Sequence, residues 1–206
     1  MNRKKILVVV DYQYDFFNPN GALYVNGADK LQEKIEAIIP NFDNVFFTLD
    51  SHPLNHCSFK ENGGQWPTHC VMNTIGNGIP VSMMKLAKDY TFVYKGEMED
   101  MEEYGAWSDE VDFSMDIGLC WDIDEMLPYE KGTDYDEYLK KHYEYVDEIV
   151  VCGLVSSYCV LETVKNIVKY IGAKKVKVYL EGVGSLDDSK KLEKYMVENN
   201  IKEYKK

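Results

Sequence analysis

A chain of 206 residues carrying a net charge of −12 has room for one sizeable core. That acidity argues against gripping nucleic-acid phosphates, and no apolar run approaches the roughly 18–20 residues of a membrane span, so neither nucleic acid nor membrane is expected as a partner. Five cysteines without a CxxC pair fit a reduced, cytoplasmic protein.

The first predicted element is the strand KILVVVD (5–11). Its basic start resembles a leader peptide, but the apolar run is short and ends in Asp11 with no small-residue cleavage site after it. GADKLQEKIEAIIP (27–40) spaces Leu31, Ile35 and Ile38 on one helical face and stops at a proline. NVFFTLD (44–50) is a second strand, followed by a loop over 51–82 rich in Gly, Pro, Asn and His. YTFVYK (90–95) is a third strand. An acidic segment then runs over 97–130 without a Lys or Arg, carrying Trp107, Phe113, Trp121 and Tyr129. It reads as a partly ordered insertion or lid, bounded at about 97–132, because its aromatics need somewhere to pack. TDYDEYLKKHYEYV (133–146) predicts a helix, EIVVCG (148–153) a strand and SSYCVLETVKNIVKYIG (156–172) a helix ending in glycine. KVKVYLEG (175–182) is the last strand and DDSKKLEKYMVENN (187–200) the last helix. Continuous β-branched strands alternating with helices predict a single α/β domain over 1–206, three layers α/β/α around a mostly parallel central sheet.

In such sheets function collects beyond the carboxyl ends of the strands. Asp11 follows the first strand; taken alone it suits a strand-end cap equally well. Asp15 reads as a loop-holding residue. Asp50, His52 and His69 offer one carboxylate and two imidazoles, a set that leaves coordination positions open for water or substrate. The alternatives are a hydrogen-bonded Asp/His turn, or a zinc on Cys57 and Cys70 at a spacing zinc sites do not use; His56 and Glu61 are candidate further ligands. Most lysines are solvated surface charges, but Lys95, directly after a buried strand and followed by glycine, is less ordinary. Cys159 stands in the first turn of a helix, where the dipole and free N–H groups lower a thiol pKa from about 8.5 toward neutrality, whereas Cys152 reads as a small buried hydrophobe.

Four motifs together, DYQYDF after the first strand, DSHPxNHxSF with WPxHC, a strand-end YKG, and GLVSSYCV, resemble the isochorismatase-like cysteine hydrolases, and within them the nicotinamidases, also called pyrazinamidases. The resemblance covers roughly 5–96 and 146–182. It implies a catalytic triad of Asp11, Lys95 and Cys159, and one divalent metal ion on Asp50, His52 and His69, with zinc expected and iron or manganese as alternatives. It implies a cis peptide before Val155, an oxyanion hole from the N–H groups of Val155 and Cys159, and Phe16 and Trp66 flanking the substrate ring. The implied reaction is hydrolysis of nicotinamide to nicotinate and ammonia through a cysteine thioester, in NAD salvage. The chain departs from the family at Ser157, where an aspartate usually stands, and in the length of chain between Lys95 and Cys159. The implied partner is a small carboxamide, and a homo-oligomer is open. The competing readings are another carboxamide or carbamoyl hydrolase of the same fold, a non-catalytic interaction module using the acidic insertion, and a structural zinc protein.

Overall fold

The structure, a computed structural model, describes residues 4–108 and 146–206. Strands β1 (Lys4–Val10), β2 (Asn44–Asp50), β3 (Tyr90–Lys95), β4 (Val146–Gly153), β5 (Val176–Val183) and β6 (Lys202–Glu203) form one parallel sheet in the order β3-β2-β1-β4-β5-β6. Alternate residues of β1 face opposite layers. Ile6, Val8 and Val10 pack with Val164 and Ile167 of helix α4 and Leu192 and Met196 of helix α5, while Leu7 and Val9 pack with Phe16 of α1, Ile35 of α2 and Met83 of α3. These helices span Tyr14–Phe17 (α1), Gln32–Glu36 (α2), Val81–Leu86 (α3), Leu161–Ile171 (α4) and Lys191–Glu198 (α5). Burial on both faces explains the unbroken apolar runs of β1, β2 and β4. β3, expected to be buried likewise, is instead the edge strand of the sheet, with Tyr90 and Tyr94 exposed. Each buried Val or Ile is worth roughly 1.5–3 kcal/mol, so polar groups are costly inside the runs and collect at their ends. Among the described residues no helix is long and apolar enough to cross a membrane.

The register lines up the ends that matter. Val10 lies opposite both Thr48 and Gly153, and Asp50 lies opposite Lys95. Gly153 has a φ of 115°, and a Cβ there would collide with the Val10 backbone. Only glycine lets β4 leave the sheet so close to β1. Leu154 N–H then donates to Val10 O (2.8 Å), and the Leu154–Val155 peptide is cis.

Several predicted elements differ in detail. The helix expected over 27–40 is broken into 3₁₀ turns at Ala28–Leu31 and Ile39–Asn41 around α2. Its apolar face still reaches the core, but Pro40 has no N–H with which to continue the ladder. The helix expected over 156–172 opens as a π turn, Ser156–Val160, with Val160 N–H bonded five residues back to Val155 O (3.1 Å). The helix expected from 187 begins only at Lys191, because Lys190 is left-handed (φ 51°) and Asp187 turns back toward Ser157. The helix expected over 133–146 lies, but for its last residue, outside the described residues, as do Phe113, Trp121 and Tyr129. The start of the acidic segment is described and is built into the fold. Ala106 N–H bonds Thr163 Oγ1 (3.1 Å), and Trp107 packs edge-on against Phe46 at 5.7 Å.

Candidate active site

Asp11, Lys95 and Cys159 arrive from three different strand ends and meet in the interior, with exposures of only 0, 2 and 5%. Lys95 Nζ stands 2.8 Å from Asp11 Oδ2 and 3.8 Å from Cys159 Sγ, and donates to Asp50 Oδ1. Asp11 sits at a positive φ of 45°, a conformation aspartate tolerates better than most residues. Thr48 of β2 secures it twice: its carbonyl accepts Asp11 N–H (3.1 Å), and its hydroxyl donates to Asp11 Oδ1 (2.5 Å).

Asp50 divides its two oxygens. Oδ1 takes the Lys95 ammonium, and Oδ2 lies 3.7 Å from His52 Nε2 and 3.8 Å from His69 Nε2. His52 Nδ1 reaches Gly96 O (2.8 Å) and His69 Nδ1 reaches Pro67 O (2.8 Å). A carbonyl only accepts, so both Nδ1 atoms carry the proton and both Nε2 lone pairs converge on Asp50. That is the second-layer arrangement metal-binding histidines use. Asp50, His52 and His69 together can hold a metal ion.

The further candidates do not join them. His56 is stacked on His52 with ring centroids 4.1 Å apart, but both its nitrogens are engaged. Nε2 donates to Met101 O (3.0 Å), and Nδ1 lies 2.7 Å from the Ser58 hydroxyl. Glu61 accepts from Thr68 Oγ1 (3.0 Å) at the surface. Among the described residues neither Cys57 nor Cys70 belongs to a group that could hold a metal. Asp15 has the structural role expected of it, accepting Cys70 N–H (2.7 Å) and Ala22 N–H (3.1 Å) and so fixing the loop that presents His69.

Charge at this centre is set by burial and by one cation. Burial would raise the Asp50 carboxyl, but Lys95 holds it below the usual carboxylate range. Burial outweighs Lys95 at Asp11, and with the Asp50 charge it pushes that carboxyl up to about 6. Lys95 would lose its proton to burial, yet Asp11 and Asp50 lift it well above an ordinary lysine. Cys159 departs from the expectation of an acidic thiol. Burial pushes it up, Lys95 opposes, and the Asp11 and Asp50 charges add to the rise. A thiol enclosed beside two carboxylates is favoured in its protonated form.

A narrow cleft opens over Cys159, lined by Phe16, Leu23, Trp66, His69, Tyr104, Tyr158 and Leu186, with Asp50 and Glu102 as its charged groups. Phe16 meets His69 edge-on at 5.4 Å, and Trp66 meets Tyr158 edge-on at 5.3 Å. A narrow apolar slot with carboxylate, imidazole and thiol at its floor suits a small flat molecule with one polar reacting group.

No protein-family model matches the chain. Individual relatives do. It is 30% identical to the nicotinamidase of Saccharomyces cerevisiae over 189 aligned positions, covering 77% of this chain and 79% of the relative. The chain belongs to the nicotinamidase family. Among solved structures it is similar to the pyrazinamidase of Pyrococcus horikoshii in complex with zinc, at 29% identity and a TM-score of 0.74, covering 98% of this chain and 99% of the other. It is also similar to the yeast nicotinamidase bound to the inhibitor nicotinaldehyde, at 27% identity and a TM-score of 0.71, covering 98% of this chain and all of the other. These neighbours share the three-layer parallel fold expected of isochorismatase-like hydrolases.

In this nicotinamidase relative, sequence reasoning missed three groups. Gln13 brackets the Asp50 peptide, donating to Asp50 O (2.8 Å) and accepting Asp50 N–H (2.9 Å). It sits in the quoted DYQYDF motif, but nothing in its spacing announces this. Tyr104, in the acidic segment, accepts from Trp66 Nε1 (3.1 Å) and Gln65 Nε2 (2.8 Å) and so orients the indole. Glu103 caps the turn after β3, taking Gly96 N–H (3.1 Å). The aromatics of EYGAW were the available signal, since an acidic solvated loop has no use for Tyr104 and a buried Trp107.

Proposed function

We infer that the protein is an amidohydrolase that converts nicotinamide to nicotinate and ammonia. The observation that carries this reading is the meeting of Asp11, Lys95 and Cys159 beneath an aromatic cleft, beside the Asp50, His52 and His69 group. Membership of the nicotinamidase family supplies the substrate.

Phe16 and Trp66 hold the pyridine ring between them. Asp11 takes the proton of the Cys159 thiol as the sulfur attacks the carboxamide carbon. Because burial favours the protonated thiol, proton removal and attack belong to one step. Lys95 stays charged and offsets the negative charge passing between Asp11 and the sulfur. The oxyanion is received by the N–H groups of Val155 and Cys159, worth roughly 3–4 kcal/mol per donor. The N–H groups of Leu154, Ser156, Tyr158 and Val160 around them are committed to backbone carbonyls of Val10, Gly184 and Val155. Asp11 then gives its proton to the departing nitrogen. Ammonia leaves, and a thioester remains on Cys159. A water loses its proton to Asp11 and attacks the thioester, and that proton returns to the sulfur as nicotinate is released.

The convergent Nε2 atoms and the Asp50 oxygen fit a divalent cation, and zinc suits this donor set. Bound there, it supplies a Lewis-acidic position matched to a pyridine nitrogen. His52→Ala is expected to abolish retention of the metal through gel filtration, while His56→Ala retains it, as read by elemental analysis. Equal loss in both variants would place His56 among the ligands.

The reading is tested with nicotinaldehyde, an electrophilic mimic of the substrate. It should block nicotinamide turnover and protect Cys159 from alkylation. Turnover and alkylation both unaffected by saturating aldehyde would separate the cleft from the thiol and overturn the assignment.

A further inference from the structure

The position where the family usually has an aspartate carries Ser157, two residues before the nucleophile. In this structure a carboxylate returns to that place from another element. Ser157 is buried, and its hydroxyl donates to Asp187 Oδ1 (2.9 Å) and accepts from Ser189 Oγ (2.8 Å). Asp187 Oδ1 also takes Ser189 N–H (2.8 Å), so the loop is closed on itself as well as on the turn. One backbone bond completes the attachment, from Ser156 N–H to Gly184 O (2.8 Å). Next to Asp187 stands Leu186, a wall of the cleft over Cys159.

We propose that residues 184–189 form a strap that positions the nucleophile turn, with Asp187 as its latch through Ser157 and Leu186 as the wall it holds against the substrate. Asp187 is thus a positioning residue. It touches neither substrate nor sulfur, but it fixes the turn that aims Cys159 and the side chain that closes the cleft beside it. The effect on turnover rests on the nicotinamidase reading; the latch itself does not. Its physical basis is that a buried hydroxyl with two committed partners holds one geometry, whereas a hydroxyl without the carboxylate must find another. Displacements of about 1 Å at a reacting centre cost on the order of 10²-fold in rate.

The test compares the full-length protein with Asp187→Ala and Ser157→Ala by two readouts. One is the rate of Cys159 alkylation by iodoacetamide, followed site by site by mass spectrometry. The other is kcat and KM for nicotinamide. Because Asp187 is exposed, the fold should survive its removal. Cys70 and Cys152 are buried and report on this directly, since they stay unmodified while the core is intact. The expected result is that both variants alkylate Cys159 at least about threefold faster, as the wall loosens, while kcat falls roughly tenfold or more. Faster alkylation with slower turnover is a signature that a uniformly destabilised protein does not give, because unfolding would also expose Cys70 and Cys152. The double variant should fall well short of the sum of the two single ones, since both remove the Ser157–Asp187 bond. Alkylation of Cys159 within about twofold of wild type in Asp187→Ala would overturn the latch, whatever the substrate proves to be. A wild type that does not turn over nicotinamide would sink the substrate instead and leave the alkylation comparison decisive for the strap.

Discussion

Lys95→Met is expected to damage stability and turnover together. Lys95 is the cation between two buried carboxylates, Asp11 and Asp50, and its Nζ also stands 3.8 Å from Cys159 Sγ. Methionine fills similar volume but leaves Asp11 without its counter-ion and Asp50 without one of its partners. Stranding a buried charge in this way costs about 3–5 kcal/mol. For a protein of this size that lowers Tm by roughly 6–20 °C, measurable by calorimetry. Part of the loss is relieved in a telling way. Asp11, already pushed up to about 6, rises further without Lys95 and takes up a proton. A protonated Asp11 cannot act as a base, so kcat should fall by on the order of 10²–10³-fold even in the molecules that remain folded. A Lys95→Met protein with wild-type Tm and kcat within about tenfold of wild type would mean that the lysine is a bystander.

Asp11→Asn separates catalysis from stability. Asparagine keeps the shape and can still accept the Thr48 hydroxyl at Oδ1. Its amide N–H₂ then faces the Lys95 ammonium, an unfavourable donor pair, but burial already disfavours the Asp11 charge and Lys95 retains Asp50 as its partner, so Tm should fall less than in Lys95→Met. Turnover should nevertheless drop by about 10²–10⁴-fold, because the amide can neither take the thiol proton nor return it to the leaving nitrogen. The loss should appear in kcat, with KM for nicotinamide little changed, since Asp11 is not among the residues that line the cleft. A parallel loss in Tm would assign Asp11 to the fold, and an unchanged kcat would assign the base to another group.

These effects trace back to how much the strands disclose. Five of the six strands were legible from their β-branched and aromatic runs, unbroken in β1, β2 and β4 because both faces are buried, and the cost of burying polar groups pushes Asp11, Asp50 and Lys95 to the run ends. Parallel pairing then brings those ends to one edge of the sheet. Hence Asp50 lies opposite Lys95 without any signal in the spacing between them. The sixth strand, two residues long, has too little sequence to show a period. His52 and His69 could be nominated as ligands by type. Excluding His56 needed the positions of Met101 O and Ser58, which only the folded loop supplies.

What composition concealed was the role of the acidic segment. Its aromatics point to an insertion or lid that packs somewhere, without showing where; 97–108 seals the core with Trp107 and furnishes Tyr104 to the cleft. Net charge averages over side chains that point opposite ways, and the informative residues were the aromatics. The Cys159 thiol was misjudged for a related reason. A helix start lowers a thiol pKa only when burial and neighbouring carboxylates do not outweigh it, and the carboxylates come from strands far away in sequence. The latch from Asp187 to Ser157 was invisible on the same ground: a missing aspartate at one position was matched by a carboxylate 30 residues on.

The most direct measurement of the central claim is ammonia release from nicotinamide by the purified, reduced and metal-loaded protein, with Cys159→Ala beside it. The expected result is ammonia and nicotinate in equal amounts from the wild type and neither from the variant. No release from the wild type would contradict nicotinamide as the substrate. Release that persists in Cys159→Ala would contradict the thioester route and move the chemistry away from the sulfur.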